Sequence, residues 1–526
     1  MLDIVIRNGK IIDGSGNPWY GADVAVDAGQ IVEIGRVNAK AKKTIDAAGR
    51  VVCPGFIDMH AHPDLTLFYK EVQDYKLRQG VTTEVGGNCG FTAAPLYAKT
   101  AEELRKFMAF ITPPSGVDWD WSTFDDYLQK VSDSSPATNL IPLVGHGTIR
   151  IAVMGVEQRP PTPNELSEME MLVDAAMESG AYGISTGLVY VPGNYAQTDE
   201  IVALAKVVSR YGGIYATHMR DEGENLIASV EEAITISQDA DIPVQISHHK
   251  AAGKLNHGKV NESLGVIQCA RDRGLDVTVD QYPYSASSTT LQAILPPWSQ
   301  EGGIGKIVER LQDEATRFKI QEQTLNSHGE TRMGGMLDEI LITEVKSQKN
   351  RVCVGKTLKQ ISDLWNRESI NVAFDLLIEE DCAVGMVSFS MSDDDVKTVM
   401  RSPVTMIGSD GLYQAGNPHP RVYGTYPRVL GKYVREEEVI NLETAIRKMT
   451  AFPSQKLGLN KKGLSRIGFD ADLVVFNPST VKDQATYLDS HQYPVGIDYV
   501  IVNGQVAVSE GQFTGRTAGV VMSKKS

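Results

Sequence analysis

The feature that most constrains the fold is an alternation of short apolar runs with longer amphipathic segments through the middle of the chain. Strand-like runs that alternate with helix-like segments are typical of βα units and of a parallel sheet. Eight such runs predict a (β/α)8 barrel of the TIM type. The predicted strands cover residues 51–62, 81–89, 139–146, 181–190, 214–218, 243–248, 276–282 and 405–410.

The alternation is interrupted once, between the seventh and the eighth predicted strand. More than a hundred residues separate Tyr284 from Pro403, which is too many for one crossover connection. We therefore predict an inserted, partly helical subdomain at about residues 285–351, near the barrel mouth and distorting a regular barrel. The segment 385–390 is a candidate for an extra strand.

Both ends of the chain carry a different pattern, in which short strands are joined by tight turns. Asn8-Gly9 predicts a hairpin turn inside IVIRNGKIIDG, and Asn503-Gly504 predicts one inside YVIVNGQVAVSEG. Two strand-rich ends around a βα middle predict one small β-domain built from both termini. The predicted limits are 1–50 and 465–526 for the small β-domain and 51–464 for the barrel.

Composition and charge restrict the partners and the compartment. A net charge of −15 and a pI near 5.2 leave no basic surplus to neutralise phosphates, so neither nucleic acid nor an anionic membrane is expected. No stretch approaches the ~18 apolar residues of a membrane span, and the N-terminus does not resemble a signal peptide. The five cysteines are scattered and odd in number, which argues against a disulfide framework and favours a reducing cytoplasm.

The run VVCPGFIDMHAHPD places two histidines at the end of the first predicted strand. Residues two apart on a strand point the same way, so His60 and His62 are expected to lie together. Barrel enzymes carry their catalytic groups at the carboxyl ends of the strands. A lone His-x-His pair is a weak indication of a metal site, so the other strand ends decide its meaning.

Four further predicted strands end in groups that bind metals or move protons. The sixth strand offers His248 or His249, which face opposite ways, so only one of them can join the site. We expect all these side chains to converge on one point above the barrel. The other three groups are Cys89 after the second strand, His218 after the fifth and Asp410 after the eighth.

This inventory of thiol and imidazole suits zinc. These are the ligands that zinc prefers, and a catalytic zinc site keeps one position open for water. A bound zinc lowers the pKa of its water to about 7 and polarises a carbonyl oxygen. A carboxylate at the site can take up the proton and deliver it to a leaving group, and Asp410 is the candidate for that role.

Seven motifs in these positions make the chain similar to the amidohydrolase superfamily and, within it, to the N-acyl-D-amino-acid deacylases (D-aminoacylases). They follow the order of that family and span most of the chain, including both terminal β segments. Together they are specific, although most are not specific singly. The motifs are PGFIDMHAH, GGNCG, STGLVYVPG, THMRDEG, SHHKAAG, DQYPY and GSDG.

The resemblance implies a division of the metal ligands. Cys89, His218 and His248 match the ligands of one tight zinc site, and His60 and His62 match a second, weaker metal position. The fourth predicted strand, GISTGLVY, has no lysine of the kind that bridges two metals in dinuclear relatives. The chain also departs from the family pattern after His-x-His, because Pro63 precedes the acidic Asp64.

The mechanism that the resemblance implies is metal-assisted hydrolysis of a linear amide. A zinc-bound water attacks the acyl carbonyl, with Asp410 as general base and then general acid, and the products are a carboxylic acid and a free D-amino acid. The expected partner is therefore a small N-acylated D-amino acid, and a homo-oligomer is left open.

The family pattern also implies contacts to the substrate. Lys250 is expected to meet the α-carboxylate, with Tyr282 and Ser288 as hydrogen-bond donors. Arg421 is a candidate to hold a carboxylate, and Tyr190 a candidate donor to the developing oxyanion.

Two other functions stay open at this stage. A cyclic-amide hydrolase of the hydantoinase or dihydroorotase kind would need two equally tight metals and the bridging lysine that the fourth strand lacks. A catalytically silent scaffold of the same fold would be expected to lack some ligands, whereas all of the proposed ones are present.

Overall fold

Eight parallel strands form the middle of the molecule in a computed structural model that describes residues 1–112 and 117–525. The strands occur where the sequence predicts them, and most are shorter than predicted. Barrel strands one to eight are Phe56–Asp58, Val81–Gly86, Asn139–Pro142 continued by Val144–Gly145, Gly183–Gly187, Ile214–His218, Val244–Ile246, Val277–Gln281 and Thr405–Ile407.

The barrel is continuous across the two places where its sheet is interrupted. Strand three pairs with strand two through Asn139–Pro142 and with strand four through Val144–Gly145. Strands eight and one are joined by hydrogen bonds from Met59 N to Ile407 O, at 3.4 Å, and from Asp410 N to His60 O, at 2.7 Å. Because neighbouring strands are parallel, their carboxyl ends gather at one face.

The barrel interior is a packed apolar core and not a channel. Met59, Val85, Ile141, Ile214 and Met406 come from five different strands and are at most 2% exposed. Layers of side chains from alternate strands normally fill a barrel of this size. The polar groups at the strand ends therefore lie directly above a tightly packed core.

Helices surround the barrel and lie in the intervals between its strands, where the alternation predicts them. In the part of the chain that is described, none of the helices combines the length and the apolar content needed to cross a membrane. The α-helices outside the insert are Asp74–Leu77, Ala101–Phe107, Phe124–Asp133, His146–Met154, Pro163–Glu178, Thr198–Ser209, Leu226–Ala240, Val260–Asp272, Asp393–Arg401, Arg421–Arg428, Leu442–Met449 and Ala451–Leu457, and a π-helical segment covers Val429–Glu436.

Strands from both termini form one nine-stranded sheet, as predicted. The hairpin at Asn503-Gly504 is present, but the one predicted at Asn8-Gly9 is wrong. Leu2–Ile11 is one continuous strand, and a bulge at Asn8-Gly9 absorbs the left-handed backbone of Asn8. The strands are Leu2–Ile11, Tyr20–Asp27, Gln30–Gly35, Ala41–Asp46, Val51–Pro54, Leu473–Phe476, Ile497–Val502, Gln505–Ser509 and Gln512–Phe513.

The first predicted strand, 51–62, is two strands in two different sheets. Val51–Pro54 pairs with Leu473–Phe476 in the terminal sheet, and Phe56–Asp58 opens the barrel. Gly55 stands at the change of direction, where an added Cβ would lie 2.2 Å from Thr82 Oγ1. The Pro-Gly pair therefore connects the β-domain to the barrel through a position too crowded for any side chain.

The insert after strand seven has a sheet and an apolar core of its own. Its antiparallel strands are Ser287–Thr290, Leu341–Val345 and Val384–Ser388, the last of which includes most of the candidate extra strand. The core extends from Leu291 to Met386, well past the predicted limit at residue 351, because the third strand completes the sheet. Its helices are Ile304–Gln312, Glu314–Thr324, Leu358–Trp365 and Ser369–Glu379.

Candidate metal centre and substrate pocket

Four side chains from four barrel strands meet above the barrel core. Cys89 Sγ lies 3.3 Å from His60 Nε2, 3.7 Å from His218 Nδ1 and 3.7 Å from His248 Nε2. His218 Nδ1 and His248 Nε2 are 2.9 Å apart. All four residues are at most 5% exposed. Atoms that share one metal ion at 2.0–2.3 Å must lie at separations of this order.

The backbone is bent sharply where two of these side chains and the predicted acid–base residue Asp410 leave their strands. Cys89, His248 and Asp410 have φ of 55°, 35° and 48°, in the left-handed region that residues other than glycine rarely adopt. Such conformations persist only where surrounding contacts enforce them, and they are frequent at functional sites. The bends turn all three side chains towards the same point.

The adjacent histidines after strand six have different surroundings. His248 faces Cys89, whereas His249 Nε2 lies 2.8 Å from Ser263 Oγ on the helix packed behind the strand. Side-chain alternation along the strand could not tell which of the two histidines faces the site, and the structure shows that it is His248. The ligand role of His248 stays a prediction.

Protonation in the pocket fits a divalent cation. Burial lowers the pKa of both His218 and His248 well below 6.5, so their imidazoles are neutral, which is the form that binds metals. Burial raises the pKa of the Cys89 thiol, so a thiolate there needs a nearby positive charge. One thiol and two neutral imidazoles at these distances are a donor set that zinc prefers.

Asp410 lies between the histidines and a buried arginine. Its Oδ1 is 3.1 Å from His62 Nε2 and 3.5 Å from His60 Nε2, and its Oδ2 is 2.8 Å from Arg421 Nη1. Burial alone would raise the pKa of this carboxyl group, but the Arg421 guanidinium and His62 hold it well below 3.8. The side chain is therefore an ionised acceptor next to the group of Cys89, His218 and His248.

Glu222 is a functional candidate that the sequence analysis missed. Its Oε1 lies 2.9 Å from His248 Nδ1 and accepts a hydrogen bond from Lys250 Nζ at 2.6 Å, and its Oε2 is 3.5 Å from His218 Nε2. It forms a second group of potential metal-binding residues with His218 and His248. The sequence feature that could have revealed Glu222 is its position inside THMRDEG, four residues after His218.

Asp280 is the second candidate that was missed. Its carboxylate accepts hydrogen bonds from His248 N at 2.7 Å and from Gln245 Nε2 at 2.8 Å, and it lies 3.4 Å from His60 Nδ1. Carboxylates in such positions fix the ring orientation of metal-binding histidines. Asp64 is the acidic residue that Pro63 separates from His-x-His. It is buried, but it belongs neither to the group of His218, Glu222 and His248 nor to the other group of potential ligands, which is His60, Cys89, His248 and Asp410.

The residues predicted to contact substrate line the same small pocket or border it. Lys250, Tyr282, Ser288 and Tyr190 line the pocket together with His62, Cys89 and Asp410. The Tyr282 ring lies 5.8 Å from Lys250 Nζ and 4.6 Å from the Arg421 guanidinium carbon. Tyr190 Oη is 2.9 Å from Thr289 Oγ1, and Arg421 Nη2 donates to Ser288 O at 3.0 Å. Two cations, two phenols and a hydroxyl thus line or border this pocket.

This fold and this donor set define a barrel protein with a metal centre at the carboxyl ends of its strands. The chain belongs to the amidohydrolase family, whose model matches residues 43–508. The resemblance drawn from the seven motifs is confirmed.

Individual relatives are similar over nearly the whole chain. A D-aminoacylase of Alcaligenes xylosoxydans xylosoxydans is 38% identical over 531 residues, covering 99% of this chain and 98% of the relative. The crystal structure of an N-acyl-D-glutamate deacylase from Bordetella bronchiseptica, complexed with zinc and a phosphonate inhibitor that mimics the tetrahedral intermediate, is 35% identical, covers 99% of both chains and has a TM-score of 0.84. A D-aminoacylase structure solved to study the functional role of its binuclear metal centre is 37% identical. The match covers 99% of this chain and 100% of the D-aminoacylase chain, with a TM-score of 0.85.

Proposed function

We propose that this chain hydrolyses the amide bond of N-acyl-D-amino acids to a carboxylic acid and a free D-amino acid. One observation carries the proposal: the zinc-type donor set, the ionised Asp410 and the cation Lys250 line one buried pocket. Relatives named for this reaction match the chain from end to end.

Zinc is the cofactor that we assign to the pocket. Cys89, His218 and His248 would hold the tightly bound ion, and His60 and His62 a second, weaker one. When bound, the metal would polarise the acyl carbonyl and make water a better nucleophile. The binuclear centre of the related D-aminoacylase, described with one-metal activation and second-metal attenuation, supports two metal positions of unequal effect.

Asp410 moves the proton in the proposed reaction. Its carboxylate accepts a proton from water as the water oxygen forms a bond to the acyl carbon. The same proton then passes to the amide nitrogen while the carbon–nitrogen bond breaks. His62 and Arg421 orient the carboxylate for both transfers, since they lie 3.1 Å and 2.8 Å from its two oxygens.

The substrate is oriented by the polar side of the pocket. We assign the α-carboxylate to Lys250, with hydrogen bonds from Tyr282 and the Ser288 hydroxyl. Arg421 is a further contact, although its ion pair with Asp410 already occupies one of its nitrogens. Tyr190 would donate to the oxygen that becomes negative in the transition state.

The test is hydrolysis of N-acetyl derivatives of matched D- and L-amino acids, neutral and acidic, by zinc-loaded protein, with hydantoin as a cyclic amide. We expect cleavage of D-substrates at a kcat/KM at least about 100-fold above their L-counterparts. Cleavage of hydantoin in place of the linear amides would refute the proposal and support a cyclic-amide hydrolase. No turnover despite bound zinc would refute it as well.

We place the reaction in the cytoplasm. All five cysteines lie in the described part of the chain and all are free thiols, which suits a reducing compartment. Labelling of free thiols in the protein as isolated tests this assignment. Recovery of the protein with disulfide-bonded cysteines would argue against it.

A further inference from the structure

An apolar cavity of about 240 Å³ lies beside the metal centre, where the insert meets the barrel mouth. Its apolar lining comes from Phe107, Phe110 and Val156 on the barrel side and from Ile304, Ile307 and Ala383 in the insert. The charged residues of the lining, Glu103, Lys106 and Asp381, are exposed and stand at its rim. The buried polar residues of the lining, Thr290 and Gln300, donate hydrogen bonds to the backbone oxygens of Cys382 and Leu295, so the deeper part of the cavity suits an apolar group.

The cavity and the metal-side pocket share a wall of three aromatic residues. Phe91, Phe110 and Tyr190 line both spaces. The Phe91 ring lies 5.1 Å from that of Phe110 and 5.2 Å from that of Tyr190. The metal-side pocket has a volume of only about 20 Å³, enough for about one water. An organic substrate therefore needs space beyond it, and the larger cavity is next to it.

The position of the cavity distinguishes among the three substituents of an N-acyl amino acid. The proposed carboxylate contacts, Lys250, Tyr282 and Ser288, line the metal-side pocket but not the cavity. The amino-acid side chain branches from the Cα that carries that carboxylate, whereas the acyl substituent is at the opposite end of the substrate, beyond the amide. The acyl substituent extends from the carbonyl carbon, next to Tyr190 and Phe91, and is directed towards the cavity.

We propose that this cavity is an acyl-chain subsite that makes the enzyme prefer medium-length aliphatic or aromatic acyl groups over acetyl. The proposal rests on the deacylase function proposed above and names the acyl half of its substrate. An apolar cavity of about 150 Å³ is enough to bind benzene, so a volume of about 240 Å³ accommodates a hexanoyl or phenylacetyl group. Rotation of the partly exposed Phe110 ring would join the two spaces.

The experiment measures kcat/KM for one D-amino acid carrying acetyl, butanoyl, hexanoyl or octanoyl groups. Burial of each methylene is worth up to about fourfold, so we expect hexanoyl to exceed acetyl by at least about tenfold. A matched series with acetyl fixed and the D-side chain lengthened is expected to change less. A flat acyl series, or a steeper side-chain series, would overturn the proposal.

Two substitutions that fill the cavity from opposite walls are Val156→Phe and Ala383→Phe. Each is expected to reduce the ratio of hexanoyl to acetyl kcat/KM at least about fivefold. The matched control is Ala415→Phe, at an exposed alanine that does not line the cavity, and it should leave this ratio unchanged. An unchanged ratio in a folded Val156→Phe or Ala383→Phe protein would overturn the assignment.

A binding measurement separates this inference from the proposed function. Hexanoate is the carboxylic acid that hydrolysis of an N-hexanoyl substrate would release. Calorimetry with the zinc-loaded protein should show at least about tenfold tighter binding of hexanoate than of acetate. Ala383→Phe should abolish the difference. If D-substrates are cleaved without acyl-length preference, only the subsite is refuted. If no N-acyl substrate is cleaved but hexanoate binds through the cavity, the deacylase function fails and the apolar site stands.

Discussion

Arg421 and Asp410 form an ion pair in the interior of the site, with Nη1 and Oδ2 2.8 Å apart and the arginine completely buried. The pair keeps Asp410 ionised and fixes one of its oxygens, while the other faces His62. A general base must be charged and correctly oriented before its proton arrives. The arginine supplies both conditions without itself needing to contact the reacting bond.

The first prediction concerns Asp410. Asp410→Asn keeps the shape of the side chain but removes the proton acceptor, so kcat should fall by about 10²–10⁴. Zinc content should remain that of the unaltered protein, since Cys89, His218 and His248 are intact. The measurement is kcat on an N-acyl-D-amino acid together with metal analysis. Retention of more than a tenth of the activity would remove Asp410 from the mechanism.

The second prediction concerns Glu222, which contacts both His248 and Lys250 at less than 3 Å. Glu222→Gln weakens the charge that orients these groups, and zinc affinity should fall about 10–100-fold. Competition with a chelator measures the affinity. The matched control is Asp221→Asn, at the neighbouring acid whose carboxylate accepts hydrogen bonds from Gly223 N and Asn225 Nδ2. Equal zinc affinity in the two variants would show that Glu222 does not support the metal.

The third prediction distinguishes two buried thiols. Cys89→Ala removes a proposed ligand, and zinc affinity should fall by more than the ~100-fold seen when outer-shell partners are removed. Cys53→Ala is the control, because Cys53 is also buried but lies in the terminal sheet. Its zinc content should be normal even if its free energy of unfolding changes. Normal zinc binding in Cys89→Ala would assign the tight site to other residues.

The fourth prediction uses the pH dependence of stability in the zinc-free protein. Burial raises the pKa of Asp64 from 3.8 to about 7, and its Oδ2 has no hydrogen-bond partner. Because the folded state holds this proton more tightly than the unfolded chain does, the contribution of Asp64 to stability is complete below about pH 4. It is lost as the pH rises to about 7.

Asp64→Asn should therefore gain stability over the unaltered protein as the pH rises from 5 to 8. The expected gain between these two pH values is roughly 3 kcal/mol, because about two pH units of the range lie below the folded-state pKa of about 7, at about 1.4 kcal/mol per unit. Denaturant unfolding at both pH values, without zinc, measures the difference. A difference that is independent of pH would show that Asp64 is ionised in the fold at pH 5.

The sequence predicts the kind and order of the elements well, since each is decided by local pattern. Eight apolar runs and the intervening helical periods lead to the barrel, and strand five, Ile214–His218, has the predicted bounds. Two errors arise where a local pattern has two solutions. Asn8-Gly9 suits a hairpin turn as well as a bulge, and only the pairing of the whole of Leu2–Ile11 with Tyr20–Asp27 decides between them.

The insert shows a different limit of the sequence. The presence of an insert could be predicted from the gap between strands seven and eight, but the residue at which it ends could not. The strand Val384–Ser388 completes the sheet of the insert, and its partner strands are far away in the chain. The cavity beside the metal centre exists only because the insert meets the helix Ala101–Phe107 and its neighbours. No local pattern records that contact.

By itself, the sequence determined which side chains would be available at the carboxyl ends of the strands. The alternation of strand-like and helix-like segments predicts parallel strands, so His60, His62, Cys89, His218 and Asp410 could be predicted to share one face of the barrel. The family resemblance had selected His248, but side-chain alternation could not separate it from His249, and only the tertiary structure showed that His249 faces away, that Glu222 contacts His248 and that Arg421 pairs with Asp410. The physical reason is that ring orientation, ion pairing and left-handed backbone depend on packing between segments distant in the chain, which no local pattern encodes.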